Sequence, residues 1–156
     1  MKLEIGGTET IAASPEVLWR SLNDPEVLMR CIPGCRSMSA VGPDAFKIEL
    51  QLRVAAVGGT FEGEVALSDK EPPFRCRIAV SGAGTLGQGN GAATLEIAPH
   101  ETGSQLTYAG SGEIGGLVAG VGQRILGSVS KHLIGRFFAA LRDQFAPAAA
   151  RPDAAQ

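Results

Sequence analysis

Cys31 and Cys35 stand four positions apart around Ile32-Pro33-Gly34, a spacing at which two thiolates could share a metal ion. A closed zinc site takes four donors, and the remaining candidates, Cys76, His100 and His132, are scattered along the chain. A proline-glycine turn between two small, buried thiols accounts for the pattern, and no metal site is expected. Gly82-Ala83-Gly84-Thr85-Leu86-Gly87 spells the dinucleotide fingerprint G-x-G-x-x-G. That loop grips phosphates only between a strand and a helix N-terminus, where free backbone N–H groups meet the anion. Here the next residues, Gln88 to Leu95, lead into another alternating strand. A glycine-rich hairpin is expected, and no nucleotide cofactor.

Glu62 and Glu64 are two apart, which on a strand puts both carboxylates on one side, while Phe61 and Val65 claim the other for the interior. Carboxylates in water lack the burial that raises a pKa for general-acid work. No Ser–His–Asp or Cys–His set is suggested either. Inward parity leaves few polar candidates: Glu9, Tyr108 and Cys76. A non-enzymatic role is expected.

The elements that would position these residues are legible from periodicity. Residues 2–11 alternate, with Leu3, Ile5 and Ile11 against Lys2, Glu4, Thr8 and Thr10, as a half-buried strand does. Ser14-Pro15-Glu16 and Asp24-Pro25-Glu26 each pair a capping side chain with proline at the first helical position, so two short helices start there. From Arg36 to Ile114 the period is two almost throughout, broken at Gly42-Pro43-Asp44, Gly58-Gly59, Pro72-Pro73 and Glu101-Thr102-Gly103, where hairpin turns are expected. Residues 115–122 read as a flexible, glycine-rich approach to a helix over 123–145, whose apolar face carries Ile125, Leu126, Val129, Leu133, Ile134, Phe137, Phe138, Leu141 and Phe145. Its other face carries Arg124, Lys131, His132, Arg136 and Arg142. The order is one strand, two short helices, about six strands in hairpins and one long helix. That is an α+β chain with an antiparallel sheet of about seven strands.

At 156 residues and 44% hydrophobic content the chain has the size of one domain, expected over 1–146 with a disordered tail over 147–156. The formal charge of -2 and the lack of a basic block give nucleic acid no footprint. No run approaches the ~18 apolar residues of a membrane span, and the N-terminus lacks a signal-peptide core. An odd number of cysteines fits reduced thiols in the cytoplasm.

Residues 9–35, ETIAASPEVLWRSLNDPEVLMRCIPGC, are similar to the N-terminal signature of the CoxG family of carbon monoxide dehydrogenase subunits, a branch of the START-like, or SRPBCC, superfamily. The likeness rests on the Ala-Ser-Pro approach, Trp19, Leu22 through Leu28, and Cys31 through Cys35. It continues through Thr60 to Val65, Ser68-Asp69, the glycine-rich strands and the final helix. The resemblance implies the helix-grip fold, in which a curved antiparallel sheet wraps the C-terminal helix around an apolar cavity. It also implies an accessory role beside a molybdenum hydroxylase of the carbon monoxide dehydrogenase type, recruiting it to the membrane and binding a hydrophobic ligand, a quinone or lipid. The expected partners are therefore that small molecule, the hydroxylase itself and weak contact at the inner face of the membrane.

The cavity is expected to be lined by Trp19, Phe46, Ile48, Leu50, Phe61, Phe74, Leu106 and Tyr108, facing Leu133, Ile134 and Phe137. Gly63, Gly82, Gly110 and Gly112 share the inward parity, and a missing side chain there either admits a ligand or lets the helix come close. Two other readings stay open: a cyclase or hydrolase of the same superfamily, and a ligand-free assembly factor whose glycines serve helix packing. The basic helix face is either a dock for anionic lipid or a plain solvated surface.

Overall fold

The computed structural model describes residues 1–54 and 57–145; the tail expected over 147–156 lies outside them. Strand β1 spans Lys2–Ile11, helix α1 Pro15–Leu22 and helix α2 Pro25–Cys31. Six more strands follow: β2 Cys35–Gly42, β3 Ala45–Val54, β4 Val57–Glu71, β5 Arg75–Gly84, β6 Gly87–His100 and β7 Gly103–Gly115. A 3₁₀ turn, Leu117–Val121, leads into helix α3, Gln123–Asp143. The caps are as the sequence implies: Ser14 Oγ accepts from the Val17 N–H at 3.3 Å, and Asp24 Oδ1 from the Glu26 N–H at 2.9 Å.

All pairings are antiparallel, and the sheet order is β1-β7-β6-β5-β4-β3-β2, so each hairpin lies beside the next and β1 closes against the last strand. This is an α+β fold with a curved sheet and a long C-terminal helix, as expected. The G-x-G-x-x-G segment is a hairpin, with Gly84 opposite Gly87 and strand, not helix, after it. One turn is displaced. Gly58 and Gly59 lie within β4, opposite Arg53 and Leu52, because the ladder runs on to Val54 and Val57. The Gly-Gly pair reads as a turn in sequence because glycine adopts positive φ freely, and Gly59 does so here, at 125°, within the strand.

Helix α3 bridges two apolar clusters. Its C-terminal half contributes Phe138 and Leu141 to one that holds Ile11, Leu18, Leu22, Val27, Cys31, Ile97 and Leu106. Its N-terminal half contributes Leu126 and Val129 to a second, with Leu3 and Val118. Polar clamps fix both ends. Arg142 pairs with Glu9, and Arg30 Nη2 donates to Gln144 Oε1 at 2.9 Å. Gln123 Nε2 donates to the Lys2 carbonyl at 2.7 Å. Along its length, Gly127 and Gly135 face open space, since a Cβ built on either meets no atom within 4 Å. Alanine at each removes backbone freedom from the unfolded chain without a clash, so Gly127→Ala and Gly135→Ala should each stabilise by roughly 0.5–1 kcal/mol. Thermal unfolding followed by circular dichroism checks this; the double variant should melt a few degrees higher.

Candidate functional site

Strand pairing decides which side chains face α3. One inner row reads Phe46, Val65, Val80, Gly91, Gly112 and Leu3 across six strands. The next reads Ile48, Gly63, Gly82, Gly89 and Ile114. The middle of the inner face thus carries a cluster of glycines around one valine. Val80 sits midway along β5, the central strand, and is 44% exposed. In a filled core such a residue would be covered on all sides. Leu50, Leu52, Phe61, Ile78, Leu95 and Tyr108 on the sheet are also only half-buried, as are Leu133, Ile134 and Phe137 on α3. The buried apolar residues described in this layer fall into two clusters, and Val80 belongs to neither.

The cluster of glycines does not serve to bring α3 close. A Cβ at Gly63 would stand 2.0 Å from the Ser81 carbonyl oxygen, and one at Gly110 2.2 Å from that of Ala92. Those atoms belong to neighbouring strands, and none of the nearest atoms to any of these glycines comes from α3. Close strand approach in a coiled sheet is the reason for them. Gly82 differs: its Cβ would meet only the Glu62 carbonyl oxygen, at an ordinary 3.5 Å.

The expected lining residues divide into three groups. Leu50, Phe61, Tyr108, Leu133, Ile134 and Phe137 are half-buried; Tyr108, Ile134 and Phe137 pack, with Trp19, against the cluster of Leu18 and Leu106, and Phe61 and Leu133 against that of Leu3 and Leu126. Phe46, Ile48 and Leu106 are 6%, 8% and 0% exposed, so they pack on protein and belong to the core. Phe74 is misplaced by parity reasoning: it lies in the turn after the cis Pro72–Pro73 bond and is 50% exposed, because the strand rhythm begins only at Arg75. Val80 and Leu52, which are not among the expected lining residues, share the inner face. The period of β5 puts Val80 inward, but only its cross-strand neighbour Gly91 reveals that nothing covers it.

The inward polar candidates are accounted for separately. Glu9 lies opposite Leu106 on the inner face, and its carboxylate pairs with Arg142, with 22% and 43% of the two side chains exposed. That pair sits where α3 ends, removes Arg142 from the basic stripe and holds the helix on β1. Cys76 is buried, as is Cys31, while Cys35 is half-buried. Burial pushes all three thiols up, opposed at Cys31 by Arg30 and at Cys76 by Lys70, so they stay protonated at neutral pH. A depression of about 550 Å³ is lined by outer-face residues, Ala66, Ala79, Ala92 and Ser111 between Glu64 and Glu113, and also by Val80, Gly91 and Gly112 of the inner row. It is open and edged by carboxylates, which suits an apolar guest less well than the inner face.

Over residues 7–146 the sequence matches the family model of CoxG, a subunit of carbon monoxide dehydrogenase. The chain belongs to this family. A structure of a conserved protein from Geobacillus kaustophilus is 36% identical, with a TM-score of 0.88, over 91% of this chain and 94% of that one. A protein of Chromobacterium violaceum shares the fold at 19% identity, with a TM-score of 0.72, over 92% of this chain and 98% of that one. No curated protein matches the sequence. Membership in the CoxG family is compatible with an accessory, non-catalytic role beside a carbon monoxide dehydrogenase. Among the described residues no helix is long and apolar enough to cross a membrane.

Proposed function

We propose that this CoxG family member holds an apolar small molecule, a quinone or lipid, between α3 and the sheet, and serves as a non-catalytic accessory to a molybdenum hydroxylase of the carbon monoxide dehydrogenase type. The observation that carries the ligand reading is the uncovered Val80 at the centre of the inner face, set beside Gly82, Gly89 and Gly91. Covering about 200 Å² of apolar surface there is worth roughly 5 kcal/mol, which corresponds to binding in the high-micromolar range. Both ends of α3 are clamped to β1, so entry is through the 3₁₀ turn Leu117–Val121, flanked by Gly116 and Gly122 at left-handed φ. Leu117 on that turn is 77% exposed and Ile125 46%. Arg124, Lys131, Arg136 and His132 are exposed along α3, which has no acid before Asp143, so this corner suits an anionic membrane surface.

The deciding experiment is native mass spectrometry of the protein purified from its own host, with organic extraction of what it carries. A co-purifying quinone or other apolar lipid is the expected result. An empty protein whose melting temperature no quinone analogue shifts would overturn the ligand reading and leave docking to the hydroxylase as the role.

A further inference from the structure

The chain has a single tyrosine, and its fold puts that residue on the inner face, in the cross-strand row Cys76, Leu95, Tyr108 and Gly7. We propose that the Tyr108 hydroxyl is the hydrogen-bond donor that orients the guest, and that the guest is therefore an apolar molecule carrying a carbonyl or ether oxygen. This rests on the ligand reading above and adds to it which atom of the protein is polar and what it selects.

Four observations support the assignment. The ring is held in place, stacked on Phe138 with centroids 5.1 Å apart and planes inclined by 27°. It crosses from β7 over β1, so that a Cβ on Gly7 would stand 2.6 Å from the hydroxyl oxygen; glycine at that position leaves room for the phenol. Packing alone needs no hydroxyl there, since phenylalanine has the same ring. And among the described residues the hydroxyl bonds to no protein group and is not one of the fully buried polar atoms, so its donor is open to solvent or to a guest. The neighbouring polar groups are engaged elsewhere: Glu9 is held by Arg142, and Thr8 and Thr107 pair with one another on the outer face. A donor on an otherwise apolar surface rewards a guest with an acceptor and gives nothing to a hydrocarbon of the same shape.

A matched pair of probes tests this: 2,3-dimethyl-1,4-naphthoquinone and 2,3-dimethylnaphthalene, titrated into the full chain with Trp19 fluorescence and calorimetry as readouts. The native protein should prefer the quinone by about three- to tenfold, the range of one hydrogen bond. Tyr108→Phe should lower quinone affinity to that of the hydrocarbon while leaving hydrocarbon affinity unchanged. Gly7→Ala, which displaces the phenol and keeps it, should do the same, and it stands in if Tyr108→Phe fails to fold. A preference that survives both substitutions, or equal binding of the two probes by the native protein, overturns the assignment but leaves the cavity in place. Binding of neither probe overturns both.

Discussion

Gly63→Ala should cost about 3 kcal/mol of stability or more, while Gly82→Ala, at the position directly across the ladder, should cost nothing measurable. The two glycines look alike in sequence and share a face of the sheet. At Gly63 the added methyl would stand 2.0 Å from the Ser81 carbonyl oxygen and 3.0 Å from the Gly82 Cα. Both are backbone atoms in the middle of the sheet, so relief requires β4 and β5 to separate, with loss of ladder hydrogen bonds whose groups would then lack partners. At Gly82 the methyl makes one ordinary contact at 3.5 Å and lies against the uncovered middle of the inner face. There the smaller backbone entropy of alanine in the unfolded chain favours the variant slightly. Urea unfolding of the two proteins side by side reads the difference directly. Equal midpoints would mean that the glycines are not what lets the strands coil so closely.

The contrast between these glycines marks where sequence reasoning stops. Alternation of apolar and polar residues is a local signal, and it was enough for the strands, their inner faces and the long helix, because a strand's period of two does not depend on its neighbours. The Ser14 and Asp24 caps were equally legible, since each acts within three residues of itself. Register between strands is not local. It brings Gly91 beside Val80 and leaves the valine open, and it puts Gly7 beneath the Tyr108 ring. The partner of Glu9 is also distant in sequence: Arg142 reads as a cation complementing its own helix end until the fold brings β1 beneath it. Phe74 failed for the opposite reason. Counted from Phe74, the alternation of β5 starts one residue too early, since Phe74 still belongs to the turn that follows Pro72-Pro73. Family resemblance implied a cavity, but it could not say which of the apolar side chains line open space and which, like Leu106, are core.

Gly82→Leu should abolish guest binding without harming the fold. The Cβ position is free, the strand gains a residue better suited to it than glycine, and the isobutyl group projects beside Val80 on the inner face. Covering Val80 should raise the melting temperature or leave it unchanged, and the affinity for 2,3-dimethyl-1,4-naphthoquinone should fall by more than about tenfold, since a guest would have to displace a side chain already buried there. The outer depression supplies the control. Ala79→Leu places the same group on the opposite face of the same strand, among Ala66, Ala92 and Ser111. If the guest sits between helix and sheet, calorimetry will find binding lost in Gly82→Leu and kept in Ala79→Leu. The reverse pattern would move the site to the outer face and take Tyr108 out of contact with the ligand. Loss in both would point to a change in the sheet itself, which unfolding midpoints of the two variants would expose. Because both substitutions act on β5, on opposite faces and three residues apart, the comparison holds strand, added volume and sheet position nearly constant and varies only the face.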